Sequence, residues 1–510
     1  MHDHVIVFKI SKTMSRKHLG FFLGILGFII LLLLPTPDGL SVEAQRAAAV
    51  VLLMSIWWIS EAIPVYVTAF VPLVLYPALG IMNSSAVASN YGHNYALMFL
   101  AVFFLAKAIE TQQLHKRIAL SIINIFGTSR QKIVLSMMIA TTFVSLWIAN
   151  VTTALMMLPI AMAIIVKDEE SGTEGAKGFS SALMLGIAYA ASLGGLGTLI
   201  ATPTNMIFVG IFDNLFPEAP PITFFTWLII GMPIVIVMVP AFWFFIIKYF
   251  KVEGNLNQNV SIIKDELASL GKLSKGESRV IGVAVFLVIG WVFKDDLVFD
   301  SFVIPGWVGL AGFTGIHDTT IAMTGAIILF ALNDGKGNRL ITWKEASQVP
   351  WGVVMIVGGG YAVAKGFVDT GLANWMGGQM HFIEGYSAFL ILFIVLAFIL
   401  VFTEFNSNTA TANIFLPILA STAIAASVNP LFIMIPAAVA CSCAFMMPAA
   451  TGPNTVVLGS ERVTVQQMMK CGFWLNILTI IILPVLFYFV IMPLLGITME
   501  LPAWANSFKQ

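Results

Sequence analysis

The sequence predicts an all-α protein that crosses a membrane about eleven times, and three observations carry that reading. Only 10% of its 510 residues are charged and 59% are hydrophobic, with a mean hydropathy of +0.93; a soluble chain carries about a quarter charged residues. Uncharged runs such as Phe224 to Ile247 and Phe473 to Ile497 recur from end to end, and a span needs about 20 apolar residues. Short polar segments rich in Lys and Arg separate these runs.

In chain order, Lys9, Lys12, Arg16 and Lys17 precede a first apolar stretch from Leu19 to Leu34. That stretch ends in PTPDG rather than in a small-residue cleavage site, so it reads as a retained span. Its basic flank places the N-terminus in the cytoplasm. The connectors HKR (115–117) and SRQK (129–132) are basic, and KDEESGTEGAK (167–177) reads as a polar loop of mixed sign. The longest hydrophilic stretch, Lys248 to Arg279, contains Lys251, Lys264, Lys272 and Lys275. The same rule puts it in the cytoplasm, where it divides the chain into two halves.

The halves repeat one another. SLWIANVTTALMMLP (145–159) and TEFNSNTATANIFLP (403–417) align without a gap, with Asn150 over Asn408, Thr153 over Thr411 and Pro159 over Pro417. GTLIATPTN (197–205) pairs with MPAATGPNT (447–455), so that Ala201-Thr202 lies over Ala450-Thr451 and Asn205 over Asn454. The offsets, 408 − 150 = 258 and 450 − 201 = 249, are nearly constant. An internal duplication follows, of the kind that places a substrate site at the repeat interface of secondary transporters.

Length requires these segments to break. Ile133 to Val166 is free of charge, and as one straight helix it would reach about 51 Å, against a hydrocarbon core of about 30 Å. The polar residues at 145–153 are the natural break point, because irregular backbone at membrane depth survives only against protein or a water-filled cavity. No charge occurs between Phe405 and Ser460 either, and Pro203, Gly452 and Pro453 interrupt the matching helices.

Broken helices present N-termini that suit an anion and free carbonyls that suit a hard cation. An asparagine offers an amide oxygen to the cation and an amide NH₂ to a carboxylate. With no charged side chain expected at either tip, co-bound cations would supply the neutralisation. The bland alternative is that Asn, Ser and Thr here only hydrogen-bond one helix to another; two clusters in register, each followed by a small-residue and proline motif, favour a binding site.

Other features carry less. The zero net charge and lack of a basic–aromatic patch give nucleic-acid binding no support. Cys441 and Cys443 lie in an apolar segment without further ligands at metal spacing, so they read as buried thiols. No His, Asp, Glu and Cys cluster supports a membrane-embedded enzyme, and a channel or receptor has no need of two broken tips. Glu61 and Glu404 lie near or within spans, where acids are costly; Glu61 could equally cap a helix start or sit at an interface. Lys365 reads as structural, paired or snorkelling to the surface.

Four separated motifs, WWISEAIPVYVTAFVPLVLYPALGI (57–81), the two asparagine-centred tips, GGLGTLIATPTN (194–205) and MMPAATGPNTVVLGS (446–460), together resemble the divalent anion:sodium symporter family over roughly Leu19 to Ile497. That family carries succinate, malate, fumarate, citrate and, in some branches, sulfate. The resemblance implies an inverted repeat with two re-entrant hairpins ending at Asn150 and Asn408, in a homodimer working as an elevator. Residues 1–126 and 251–383, the latter with the cytoplasmic linker, would form the scaffold, and 127–250 and 384–510 the transport domain. It further implies a first sodium site at Ser145, Ala149, Asn150 and Ala201, and a second at Thr403, Asn406, Asn408 and Ala450. The anion would meet Asn150, Val151, Thr202, Asn408, Thr409 and Thr451.

The family signature Ser-Asn-Thr stands intact at Ser407-Asn408-Thr409 but reads Ala149-Asn150-Val151 in the first half, which removes two hydroxyls. The expected function is sodium-coupled symport of a four-carbon dicarboxylate in the cell membrane. The alternatives are sodium-independent exchange of a dicarboxylate or citrate, or sulfate transport. Exchangers of the family tend to place basic side chains where sodium would sit, and neither tip has one.

Overall fold

The helix Ala176–Gly197 is the post around which the rest is arranged. It is built largely of Gly, Ala, Ser and Leu, and its hydrophobic window is 100% buried. Small side chains let neighbouring backbones approach closely. Arg130–Ser145, Asn150–Glu170, Phe224–Tyr249 and the short helix Gly452–Leu458 pack against it. The computed structural model describes residues 3–125, 129–170, 175–255, 260–299, 302–379 and 386–505.

Among the described residues, nine helices are long and apolar enough to cross a membrane, with three shorter apolar helices, Val65–Ala78, Asp318–Ala331 and Pro430–Cys441, beside them. Helix breaks divide several of the apolar runs from which the sequence reading expects about eleven spans. One two-stranded antiparallel ribbon, Leu297–Phe299 with Phe302–Ile304, interrupts the helical architecture. The first apolar stretch is a helix, Asp3–Leu33, packed on Val42–Ser60 with the Phe21 and Trp57 rings stacked.

The long uncharged run from Ile133 is two helices that fold back on each other. Arg130–Ser145 ends, 146–149 turn, and Asn150–Glu170 begins. Arg130 Nη2 donates to Asp168 Oδ1 at 3.0 Å although they stand 38 positions apart, about 57 Å along a straight helix. The second copy also folds back: Ala388–Phe405 is followed by Asn408–Ala425, with the Phe398 and Phe415 rings 5.1 Å apart. Helix 465–495 shows that the hairpins enter from opposite ends. Near one end, Arg462 Nη1 donates to Glu169 Oε1 at 2.6 Å, at the base of the first hairpin. Past the other end, the Thr498 and Met499 carbonyls accept from Asn429, just after the second hairpin. The bases of the two hairpins thus lie toward opposite ends of that helix.

Asp168 and Glu61 are placed differently from the sequence expectation, whereas Lys365 is paired with a carboxylate as expected. Asp168, expected in an exposed polar loop, is buried with Arg130 at 1% and 2% exposure, because the antiparallel fold brings the two hairpin ends together. Glu61 closes a helix rather than starting one: it follows Val42–Ser60 in the left-handed region (φ 49°), exposed, 3.8 Å from Lys17. Lys365 Nζ donates to Asp369 one turn along, at 2.7 Å. Breaking a buried pair by removing one partner costs about 3–5 kcal/mol, whereas replacing both with apolar groups costs far less. Asp168→Ala should therefore lower the melting temperature of the purified protein in detergent more than the joint Arg130→Met, Asp168→Leu change does.

Candidate functional site

Each hairpin tip is closed by one hydroxyl shared between two acceptors. Ser145 Oγ lies 3.0 Å from Asn150 Oδ1 and 2.8 Å from the Ala191 carbonyl. Thr403 Oγ1 lies 2.9 Å from Asn408 Oδ1 and 2.7 Å from the Cys441 carbonyl. A hydroxyl has one proton, so it cannot satisfy both acceptors at once. When the proton turns to the helix carbonyl, the hydroxyl lone pairs and the asparagine oxygen are left side by side. Two such oxygens are what a hard cation takes.

The broken helices lie behind the tips. Ala176–Gly197 ends before Pro203–Leu215 starts, and Pro430–Cys441 ends before Gly452–Leu458. Ala201 and Ala450 sit in the unwound stretches, 3% and 5% exposed, with only their carbonyls to offer a ligand. Thr202 and Thr451 precede the second segments in almost identical extended conformations (φ −137°, ψ 144° and φ −143°, ψ 145°), and neither side chain caps its helix. Ser407 likewise leaves its helix uncapped by its side chain. The helices opening at Asn150, Pro203 and Asn408 bring positive dipole ends to the region, and those closing at Ser145, Gly197, Phe405 and Cys441 bring carbonyls.

The halves interlock. Val151, 41% exposed, packs on Gly452, where any Cβ would lie 2.1 Å from its Cγ2; the first tip thus closes on the second break beside Thr451. Thr204 and Ser442 hydroxyls meet at 2.6 Å, and Tyr189 Oη donates to the Phe445 carbonyl at 2.9 Å, which ties the two breaks together. The second hairpin helix, carrying Asn408 and Thr409, packs on Pro203–Leu215.

Depth separates the residue sets that the resemblance implies. Ser145, Thr403, Ala201, Ala450 and Asn406 are buried, and Ala149 is half-buried with its carbonyl accepting from the Thr153 amide at 2.9 Å. Asn406 donates to the Phe402 carbonyl at 3.0 Å and keeps its buried Oδ1 without a partner. Asn150, Asn408, Thr409 and Thr451 are half-buried. The other two anion positions differ: Val151 is exposed, and Thr202 is buried with its hydroxyl 3.4 Å from that of Thr204.

The second tip carries a charge, which corrects the expectation of two neutral tips. Glu404 is buried and accepts the amides of Phe445, Met446 and Met447 at 2.7, 3.0 and 2.9 Å, together with Asn476 Nδ2 at 2.6 Å. It holds the second break in shape. The matching residue in the first half is Leu146, whose carbonyl accepts the Thr198 hydroxyl at 2.7 Å. An acid inside an uncharged membrane segment was the available signal; its partners, distant in sequence, were not readable.

Opposed hairpins meeting broken helices, with anion-facing and cation-facing helix ends in one place, define an ion-coupled secondary transporter. The chain belongs to the family described as the sodium:sulfate symporter transmembrane region, which matches residues 15–497. It is 39% identical over 495 residues to the sodium-dependent dicarboxylate transporter SdcS of Staphylococcus saprophyticus, spanning 95% of this chain and 93% of that one. Against SdcS of Staphylococcus aureus strain NCTC 8325 it is 37% identical over 509 residues, 96% of each chain.

Among solved structures, the fold is similar to Neisseria gonorrhoeae MtrF, described within a class of antimetabolite efflux pumps, at a TM-score of 0.57 and 11% identity over 92% of this chain and 94% of that one. The Alcanivorax borkumensis YdaH transporter matches at a TM-score of 0.51 and 14% identity over 79% and 87%. At such identities the likeness is one of fold.

Gly195 makes room for the first tip: a Cβ there would lie 2.5 Å from Asn150 Oδ1 and 2.6 Å from Nδ2. Gly195→Ala must displace that amide and should remove most transport. Uptake at matched membrane expression measures it, and near-parental uptake would show that Asn150 does not work from this position.

Proposed function

We propose that this protein is a sodium-coupled symporter of a four-carbon dicarboxylate such as succinate, malate or fumarate, working in the cell membrane with its N-terminus in the cytoplasm. The observation that carries the reading is the repeated hydroxyl–asparagine pair, Ser145 with Asn150 and Thr403 with Asn408. The names of the relatives at 37–39% identity, sodium-dependent dicarboxylate transporters, point the same way. In this reading one sodium ion sits at Ser145, Ala149, Asn150 and Ala201, and another at Thr403, Asn406, Asn408 and Ala450. Each turns its hydroxyl so that it donates a hydrogen bond to the Ala191 or Cys441 carbonyl. The dianion lies between the ions against Asn150, Val151, Thr202, Asn408, Thr409 and Thr451.

Five of the eight cation positions are buried and four of the six anion positions are half-buried, which supports an order in which cations complete the floor before the anion lands. The hairpins would be re-entrant, and residues 127–250 and 384–510 would move as a transport domain against a dimeric scaffold of 1–126 and 251–383. Sodium-independent exchange is disfavoured because 145–154, 201–205, 403–412 and 450–454 contain no Lys or Arg to replace the cations.

Uptake of labelled succinate into proteoliposomes should require Na⁺ and rise sigmoidally with its concentration. Equal uptake in choline and sodium buffers, driven by internal substrate alone, would replace symport with exchange.

Val151→Thr probes the anion side. Thr matches Val in shape, and Gly452 leaves room for one branch of the side chain. If the added hydroxyl reaches a carboxylate, one hydrogen bond of about 0.5–1.5 kcal/mol raises apparent affinity roughly three- to tenfold. The gain should appear for dicarboxylates long enough to touch both tips, with sodium activation unchanged. Titrating a short and a long dicarboxylate across sodium concentrations reads this, and no change for either substrate would move the anion away from Val151.

A further inference from the structure

The paired asparagines of the broken helices, Asn205 and Asn454, lie outside both sodium-ligand sets and outside the anion set. Both are 0% exposed. Asn205 Nδ2 donates to the carbonyls of Gly195 at 3.0 Å and Thr198 at 2.8 Å. Asn454 Nδ2 donates to those of Ala444 and Met447, both at 3.1 Å. The offsets agree at each partner, 444 − 195 = 249 and 447 − 198 = 249, as they do for the asparagines themselves, 454 − 205 = 249.

The same carbonyls reach the cation positions. Thr198 O also receives the Ala201 amide at 3.5 Å, and Met447 O receives the Ala450 amide at 3.3 Å. Each asparagine therefore pins the turn that ends at its alanine. An alanine can give a cation only its carbonyl, and the direction of a carbonyl in an unwound stretch is set by that turn. On the first side the chain of contact extends further, because the Gly195 residue held by Asn205 is the surface on which the Asn150 amide rests. In both copies the asparagine Oδ1 is buried without a hydrogen-bond partner. An acceptor left unmet twice at the same place is costly for a residue retained for stability alone.

We propose that Asn205 and Asn454 are positioning residues of the two sodium sites: each fixes the unwound turn so that the Ala201 or Ala450 carbonyl faces its ion. This rests on the sodium-coupled reading above. Groups that orient metal ligands from behind typically change metal affinity about 10–100-fold when removed. The two asparagines act on separate ions, one per repeat.

The test uses the purified full-length chain without substrate, with thermal stabilisation followed across a sodium titration at constant ionic strength with choline. Asn205→Ala, Asn454→Ala and the near-isosteric Asn205→Asp and Asn454→Asp should each move the sodium midpoint upward by about 10–100-fold, with sodium stabilisation still reached at high concentration. Asn429→Ala, which removes a buried asparagine bonded to the Thr498 carbonyl away from both breaks, should keep the parental midpoint. Folded Asn205 and Asn454 variants with the parental midpoint would overturn the proposal. So would an equal shift in Asn429→Ala, or a failure of both the Ala and the Asp forms to fold, which would assign these asparagines to the fold. A parent protein with no sodium response, in contrast, would remove the symport reading itself.

Discussion

Unwound backbone at membrane depth cannot turn to water for its hydrogen bonds, and the structure is organised around that constraint. Every break supplies its own replacement. The Asn205 and Asn454 amides collect carbonyls from the ends of the preceding helices, the Thr198 hydroxyl reaches the Leu146 carbonyl, and Glu404 gathers three consecutive amides. Beside the second break, the buried Asn406 Oδ1 is left without a hydrogen-bond partner. Stability and ligand capture thus draw on the same peptide units, and the division between them is made by a few amide and hydroxyl side chains.

Much of this is legible in the sequence because the membrane makes polar residues conspicuous. Asn150 and Asn408 stand out in uncharged runs, and the excess length of Ile133 to Val166 over the bilayer demands a turn by itself. The duplication announces itself through the register of the two tips. Ala201 and Ala450 are a different matter: an alanine can offer a cation only its carbonyl and leaves no trace in composition, so only the repeat and the family resemblance draw attention to it. The Arg130–Asp168 pair and the carboxylate clamp of Glu404 are illegible for a third reason, since each depends on a partner brought close by the fold-back.

The repeats agree in geometry and differ in electrostatics. At the position where the second half places the Glu404 carboxylate, the first half has Leu146 and a neutral hydroxyl–carbonyl bond. The family tripeptide is similarly intact at Ser407-Asn408-Thr409 and reduced at Ala149-Asn150-Val151. The second half therefore holds both the buried carboxyl group and the richer set of hydroxyls, so the two repeats are chemically unequal. Duplication supplied the frame, and substitution within one copy made the halves chemically distinct.

The contact of Val151 with Gly452 bears on biogenesis. The first tip leaves the ribosome about 300 residues before the segment it closes against, and chains are ordered from the N-terminus as they emerge. Until Ser442 and Phe445 arrive, Thr204 and Tyr189 lack the partners they hold in the finished protein. The first half must wait in the bilayer with polar groups unmatched, relying on water, lipid headgroups or the insertion machinery for shelter. Assembly of the two interlocked halves is consequently a late event, and a chain interrupted between residues 205 and 442 delivers the first tip and the first break with nothing to close them.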